Sequence, residues 1–193
     1  LAVSIDGRPH PHPEFDTAGA LLLTAWPVDA TGDAGEKTVD RLDLRVFRRL
    51  IDDLPLRLHT QLDLRVAGQP REIELLGAIP AGFRVTDIAG DLAARRTAAG
   101  HLHLALRPGR WQVFIHAFAI SRQDEFTLPE QEAPWPASEV WSISPTQHRT
   151  LDIVGGVQID PRQTGMPEAW QGFPAYHLTA GETLRILPQP RGM

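Results

Sequence analysis

Residues 101–120, His101-Leu102-His103-Leu104-Ala105-Leu106-Arg107-Pro108-Gly109-Arg110-Trp111-Gln112-Val113-Phe114-Ile115-His116-Ala117-Phe118-Ala119-Ile120, carry two strand signals joined by a turn. Leu102, Leu104 and Leu106 alternate with His101, His103 and Ala105, the period-2 pattern of a half-buried strand. Arg107 to Arg110 reverses the chain at Pro108-Gly109, which reads as a hairpin. Beyond the turn Trp111, Val113, Ile115, Ala117 and Ala119 share one face, and Phe114, Phe118 and Ile120 make the other largely apolar. A strand of that kind belongs at the centre of a sheet covered on both sides.

Working outward, the same period recurs at Leu42, Leu44 and Val46, at Leu56 to Val66, and at Ile73 and Leu75. Ala67-Gly68-Gln69-Pro70 reads as a tight reversal between antiparallel neighbours. Phe83, Val85 and Ile88 form a further strand. Asp91 to Gly100 is either a short helix capped by Asp91 or a hairpin turning at Ala99-Gly100, and the hairpin is preferred. Leu151 and Ile153 are expected to pair across Gly155-Gly156 with Val157 and Ile159, and Tyr176 to Leu178 to reverse at Ala180-Gly181 into Thr183 to Ile186. Near the start, Leu1 to Asp6 reads as an edge strand and Ala20 to Trp26 as another strand, with a Gly/Asp-rich loop at 29–36.

About a dozen short strands with little helix predict an all-β fold, an antiparallel β-sandwich of jelly-roll-like or immunoglobulin-like type. Residues 1–121 read as a first half with an N-terminal edge strand. The Pro-rich stretch 122–138, with Pro129, Pro134 and Pro136 among acids, reads as an exposed crossing or linker. Residues 139–193 form a second β-rich half that completes the same sandwich or makes its own.

With 193 residues the chain can bury a sizeable core without staples, and 42% hydrophobic and 22% charged residues are ordinary for a globular protein. A net charge of -5, with arginines interleaved among acids as in Asp40-Arg41-Leu42-Asp43-Leu44-Arg45, argues against nucleic acid as a partner. Cysteine is absent, which removes disulfides and thiolate chemistry. Lys37 is the single lysine and there is no asparagine, the signature of a GC-rich bacterial genome. No apolar run reaches the ~20 residues of a membrane helix. A start at Leu1 rather than Met fits a product matured by removal of a signal peptide.

Several phrases occur together: Ser4-Ile5-Asp6-Gly7, Leu106-Arg107-Pro108-Gly109-Arg110-Trp111, Pro134-Trp135-Pro136 with Glu139-Val140-Trp141, Ile159-Asp160-Pro161 with Gln163-Thr164 and Trp170, and Pro174-Ala175-Tyr176. In these the chain resembles the N-terminal portion of large uncharacterised exported proteins of Gram-negative bacteria. The resemblance implies an extracytoplasmic location, in periplasm or cell envelope, and a longer parent polypeptide. It implies no activity and no catalytic residues. Separately, the Pro-Gly-x-aromatic turn is similar to turns in carbohydrate-binding and fibronectin-like sandwiches.

The candidate binding residues are aromatic. Trp135, Trp141, Trp170, Phe173 and Tyr176 sit in or beside Pro-rich loops, where an exposed ring can stack on a sugar face. Their alternative use is to anchor loops over the ends of the core. His10 with His12, and His101 with His103, each place two imidazoles close together, but neither pair has a third ligand in view, so no metal site is assigned. Asp29-Ala30-Thr31-Gly32-Asp33 lacks the spaced acids of a calcium loop. A glycosidase needs two carboxylates a few ångströms apart, and Glu139 and Asp160 are the only acids set amid the Trp/Pro-rich region. Nucleophile-elbow, His-Glu-x-x-His, Walker and dinucleotide patterns are missing, and no cofactor is implied. The reading is therefore a non-catalytic interaction or structural module of a larger envelope protein. Its partners would be the rest of the parent chain, other envelope proteins or a polysaccharide. A carbohydrate-binding module is the alternative and a glycosidase-like domain the second alternative.

Overall fold

The computed structural model describes residues 39–146 and 150–188, with four short strand pieces near the start. The chain divides into two units, Leu1–Glu36 and Lys37–Met193. In the first, β1 (Val3–Ile5) pairs antiparallel with β2 (Arg8–His10), and β3 (Glu14–Phe15) with β4 (Leu21–Leu22). The remainder of the expected strand at 20–26, the loop at 29–36 with its calcium-like phrase, and His12 lie outside the described residues.

The second unit is all-β. Its strands are β5 (Arg41–Ile51), β6 (Arg57–Ala67), β7 (Arg71–Leu75), β8 (Phe83–Gly90), β9 (Ala94–Arg96), β10 (Leu102–Leu106), β11 (Gly109–Ala119), β12 (Glu125–Thr127), β13 (Ser138–Ser144), β14 (Leu151–Val154), β15 (Val157–Ile159), β16 (Ala175–Thr179) and β17 (Thr183–Pro188). Among the described residues two 3-10 turns, Pro161–Gln163 and Glu168–Trp170, are its helical pieces. Seven strands form one sheet in the order β15-β16-β13-β5-β6-β11-β8, and two three-stranded sheets, β7-β10-β9 and β12-β17-β14, accompany it.

Alternation sets the layers. On β5 and β6 the inward residues are Leu42, Leu44, Val46, Arg48 and Leu50, and Leu58, Thr60, Leu62, Leu64 and Val66. Leu44, Val46, Leu62, Leu64, Val113 and Ile115 pack with Leu75, Leu102, Leu104 and Leu106 of the β7-β10-β9 sheet. Further along the same face Leu50, Leu58, Ala117, Trp141, Ile143 and Leu178 pack with Phe126, Leu184 and Ile186 of the β12-β17-β14 sheet. One long sheet thus carries two apolar clusters side by side. A third cluster, Phe47, Met166, Trp170 and Ala175, covers part of the opposite face beneath the 161–170 segment, which Arg45 ties down by donating to the Thr164 carbonyl.

Four expected hairpins take a different form. The hairpin at 97–100 does form, with Thr97 and His101 bonded across it and β9 paired to β10. The reversals at 67–70, 107–110, 155–156 and 180–181 instead carry the chain from one sheet to another. β6 joins β11 and β5 while β7 joins β10, and β10 joins β7 and β9 while β11 joins β6 and β8. Likewise β14 pairs with β17, and β15 with β16. At 107–110 the corner is fixed by Trp111, whose indole Nε1 donates to the Arg107 carbonyl at 2.7 Å while the Arg107 guanidinium lies 4.2 Å from its ring. The turn residues specify a change of direction, and the apolar faces decide which strand lies alongside.

Three further differences concern the strands themselves. β13 runs parallel to β5, in the register Val140↔Phe47 to Ser144↔Ile51, so the sheet is mixed rather than purely antiparallel. β11 lies next to the edge strand β8, and its Phe114, His116 and Phe118 are half-buried rather than covered. The strand enclosed on both faces is β5, where Phe47 and Arg48 are each 1% exposed. Segment 122–138 contains β12 and buries Phe126, Leu128 and Trp135.

Candidate functional site

Arg48 and Thr60 face each other across β5 and β6, one inward row beyond Val46 and Leu62 and one before Leu50 and Leu58. This row falls between the two apolar clusters. A guanidinium placed there loses its hydration, so burial requires a carboxylate and a partner for each N–H. Glu139, on the inward face of β13, supplies the carboxylate. Arg48 Nε donates to Oε2 at 2.6 Å and Nη2 to Oε1 at 3.2 Å, with the two side chains 2% and 0% exposed. Nη1 donates to Thr60 Oγ1 at 3.0 Å and the Ala78 carbonyl at 3.2 Å, and Nη2 to the Gly77 carbonyl at 2.6 Å. All five guanidinium protons are engaged.

Glu139 is equally full. Oε1 also accepts from Trp135 Nε1 at 3.0 Å, and Oε2 from Trp141 Nε1 at 2.9 Å. The guanidinium carbon lies 5.7 Å and 5.6 Å from the centres of those two rings. The rings therefore hold the cation through their faces and the anion through their N–H groups.

A cavity of about 710 Å³ opens over this group, between the 76–81 loop and the 123–135 segment. Arg48, Glu139, Trp135 and Trp141 line it together with buried Leu75, Phe126 and Leu128. Glu74, Glu125, Glu130 and Glu132 are exposed around it, so the mouth is acidic. The two loops interlock, since a Cβ on Gly77 would lie 2.2 Å from the Gln131 amide and one on Gly82 1.6 Å from that of Gln123.

The five aromatic candidates separate. Trp135 and Trp141 meet at Glu139, and Tyr176 stands opposite Trp141 in the β13–β16 register, where burial pushes its phenol above the ordinary range. Trp170 lies in the cluster with Phe47 and Met166 on the other face of the sheet. Phe173 is half-buried under the Arg49 guanidinium at 4.5 Å. Exposures of 7%, 3% and 8% for Trp135, Trp141 and Trp170 leave none of the three as an open ring face.

Nor do the paired acids share a cleft. Glu139 points into the core, whereas Asp160 is exposed and caps the first 3-10 turn, accepting from Arg162 N at 3.0 Å and Gln163 Nε2 at 3.2 Å. That turn begins the segment covering the opposite face. His101 and His103 each contact a single glutamate, Glu74 at 3.2 Å and Glu72 at 3.1 Å, and no group of three metal-ligating side chains exists among the described residues. Arg48 is the residue the sequence pattern passed over, although an arginine in the inward register of an alternating strand signals a buried carboxylate partner.

No family model and no curated protein matches the chain. Solved structures with some likeness include an M1 zinc metallopeptidase from Deinococcus radiodurans, at 13% identity and TM-score 0.41. They also include a two-domain M1 zinc metallopeptidase variant bound to L-tryptophan or to L-arginine, each at 13% identity with TM-scores 0.38 and 0.37. Each likeness covers 75% of this chain, which spans 42% of the other's length. At those scores they carry no argument about fold or activity.

Proposed function

We propose that the chain is a non-catalytic β-sandwich interaction module of a larger bacterial envelope protein. The observation that carries the reading is the saturation of Glu139. A general acid, base or nucleophile needs a lone pair or proton free to meet substrate. Glu139 has its four acceptor sites filled from within the protein, and Asp160 serves as a cap. The same geometry weighs against a sugar-stacking platform, because Trp135 and Trp141 already spend both faces and N–H groups on Arg48 and Glu139. The envelope location rests on the sequence resemblance.

The test is to incubate the purified chain with bacterial envelope polysaccharides and chromogenic glycosides and esters, reading turnover and binding together. Turnover at the level of buffer, and no glycan binding that Phe173→Ala abolishes, are expected. Turnover that survives repurification and disappears in Asp160→Asn would overturn the reading. In whole cells, cross-links from the chain are expected on envelope proteins, and cross-links confined to cytosolic proteins would contradict the location.

A further inference from the structure

The outward face of the long sheet carries a second cluster of chemistry, independent of the Glu139 centre. The registers Arg49↔His59, His59↔His116 and His116↔Asp87 set these four side chains in one row across β5, β6, β11 and β8. Arg57, two residues before His59, occupies the next row on the same face, opposite Phe118 and Ile51. Directly opposed side chains on one face of a sheet are ~5 Å apart, so the row is a contact set. The two imidazoles lie against each other with centroids 4.3 Å apart and planes tilted by 32°.

This pairing differs from that of His101 and His103. His101 and His103 each lie against a glutamate, whereas neither ring nitrogen of His59 or His116 has a hydrogen-bond partner among the described residues. Arg49 donates Nη2 to Ser144 Oγ at 3.0 Å and rests on the Phe173 ring, while its buried Nε has no partner among the described residues. Arg57 bonds Asp53 at 2.6 Å through Nη2. The charged groups of this row are thus Arg49 from β5 and Asp87 from β8, and those of the next row are Arg57 from β6, with Asp53 paired to it, and Arg84 from β8 opposite Phe118. Beside the rings a cavity of about 340 Å³ is lined by Pro55, Arg57, His59, Thr86, His116 and Phe118.

Burial first, and after it His116, Arg49 and Arg57, hold the His59 imidazole down to about 4. Burial and Arg57 likewise lower Arg49. An anion placed among these groups would relieve that repulsion, and each proton taken up by an imidazole would add a charge-assisted donor.

We propose that His59, His116 and Arg57, with Arg49 behind them, form a binding site for an oxyanion of the phosphate or carboxylate type, and that the site tightens as pH falls. The site accounts for two imidazoles meeting at 4.3 Å without a carboxylate between them, beside a cavity large enough for such a group. Its binding reaction is linked to protonation, so anion and proton each raise the affinity of the other.

The test uses sulfate, which remains a dianion throughout the range, at constant ionic strength against chloride, with the histidine ring resonances as readout. The expected result is a dissociation constant at least tenfold lower at pH 5 than at pH 7. Sulfate should shift the His59 and His116 signals and leave those of His101 and His103 in place. His59→Gln should reduce the pH dependence and His59→Gln/His116→Gln should abolish it, while Arg57→Gln should weaken binding at both pH values. Succinate in place of sulfate names the source: tighter succinate binding assigns carboxylate groups, tighter sulfate binding a tetrahedral anion, and either order supports the site. Equal responses from His59, His116, His101 and His103, or no response beyond that to chloride, would overturn it.

Discussion

Replacing Glu139 by glutamine removes a charge and turns one acceptor oxygen into a donor at a point where the side chain is 0% exposed. In the native chain four N–H groups converge on this carboxylate, two from Arg48 and one each from Trp135 and Trp141. A glutamine keeps one acceptor oxygen for two of them, and its NH2 faces the other two donor to donor. Each buried donor left unpaired costs about 1–3 kcal/mol, and removing one partner of a buried ion pair costs about 3–5 kcal/mol. The two routes agree on roughly 4 kcal/mol, a large share of the ~5–15 kcal/mol by which domains are stable. Urea unfolding of the purified chain measures it, with Arg48→Met completing a double-mutant cycle. Each single change is expected to cost on the order of 3–5 kcal/mol. The double variant Arg48→Met/Glu139→Gln should be more stable than the sum of the singles by at least ~2 kcal/mol, because it leaves no lone charge. A cost below ~1 kcal/mol for Glu139→Gln, within the range of an ordinary surface change, or strict additivity in the cycle, would refute the reasoning.

Acid should weaken the fold through His59. Its folded value of about 4 lies below the ordinary 6.5, so the unfolded chain binds that proton first and stability is lost as pH falls from about 6.5 to about 4. After solvent screening at this half-buried site the loss is on the order of 1–2 kcal/mol, to be read from urea midpoints at pH 7 and 4.5. His59→Gln should flatten that slope, and an unchanged slope would place the cause elsewhere. Trp170→Ala should cost ~3–5 kcal/mol in thermal or urea unfolding by emptying the cluster with Phe47 and Met166. Phe173→Ala, at a half-buried ring, should cost clearly less, and equal costs would contradict the packing. At Gly155 (φ +96°) a Cβ would lie 2.0 Å from the Thr183 carbonyl oxygen, whereas at Gly181 (φ +85°) nothing lies within 4 Å. Gly181→Ala should therefore cost only the ~1 kcal/mol of a left-handed residue, and Gly155→Ala measurably more by the same unfolding assay.

Strand content was legible because alternation is a local signal, and Leu62, Leu64 and Val66 or Leu102, Leu104 and Leu106 show it without a break. Partnership was not. Gly-containing turns at 68, 109, 155 and 181 look like hairpin turns in sequence, yet each leads to a strand in another sheet. A turn fixes the reversal, while the pairing depends on apolar faces far away in the chain. β5 was recognised through Leu42, Leu44 and Val46, but its second half, Phe47-Arg48-Arg49-Leu50, reads as charged surface and is the most enclosed stretch of the sheet. The candidate site was half visible. Glu139, Trp135 and Trp141 stood out as an acid among rings, but the partner that gives them their role lies 91 residues from Glu139, across the parallel β5–β13 contact. Long-range charge pairing has no local periodicity to announce it. The one local sign was Arg48 itself, holding the inward register between Val46 and Leu50.

Hydrogen exchange at the indole N–H groups tests the closed Arg48–Glu139 centre most directly. Trp135 and Trp141 bond a fully buried carboxylate, while Trp111 bonds the carbonyl of exposed Arg107 at a corner. If Glu139 is held as described, the first two indole protons exchange only when the core opens, on the order of 100-fold or more slower than that of Trp111. Exchange of Trp135 or Trp141 as fast as that of Trp111 would mean that the carboxylate is free to water and substrate, contradicting the reading of Glu139 as a structural group.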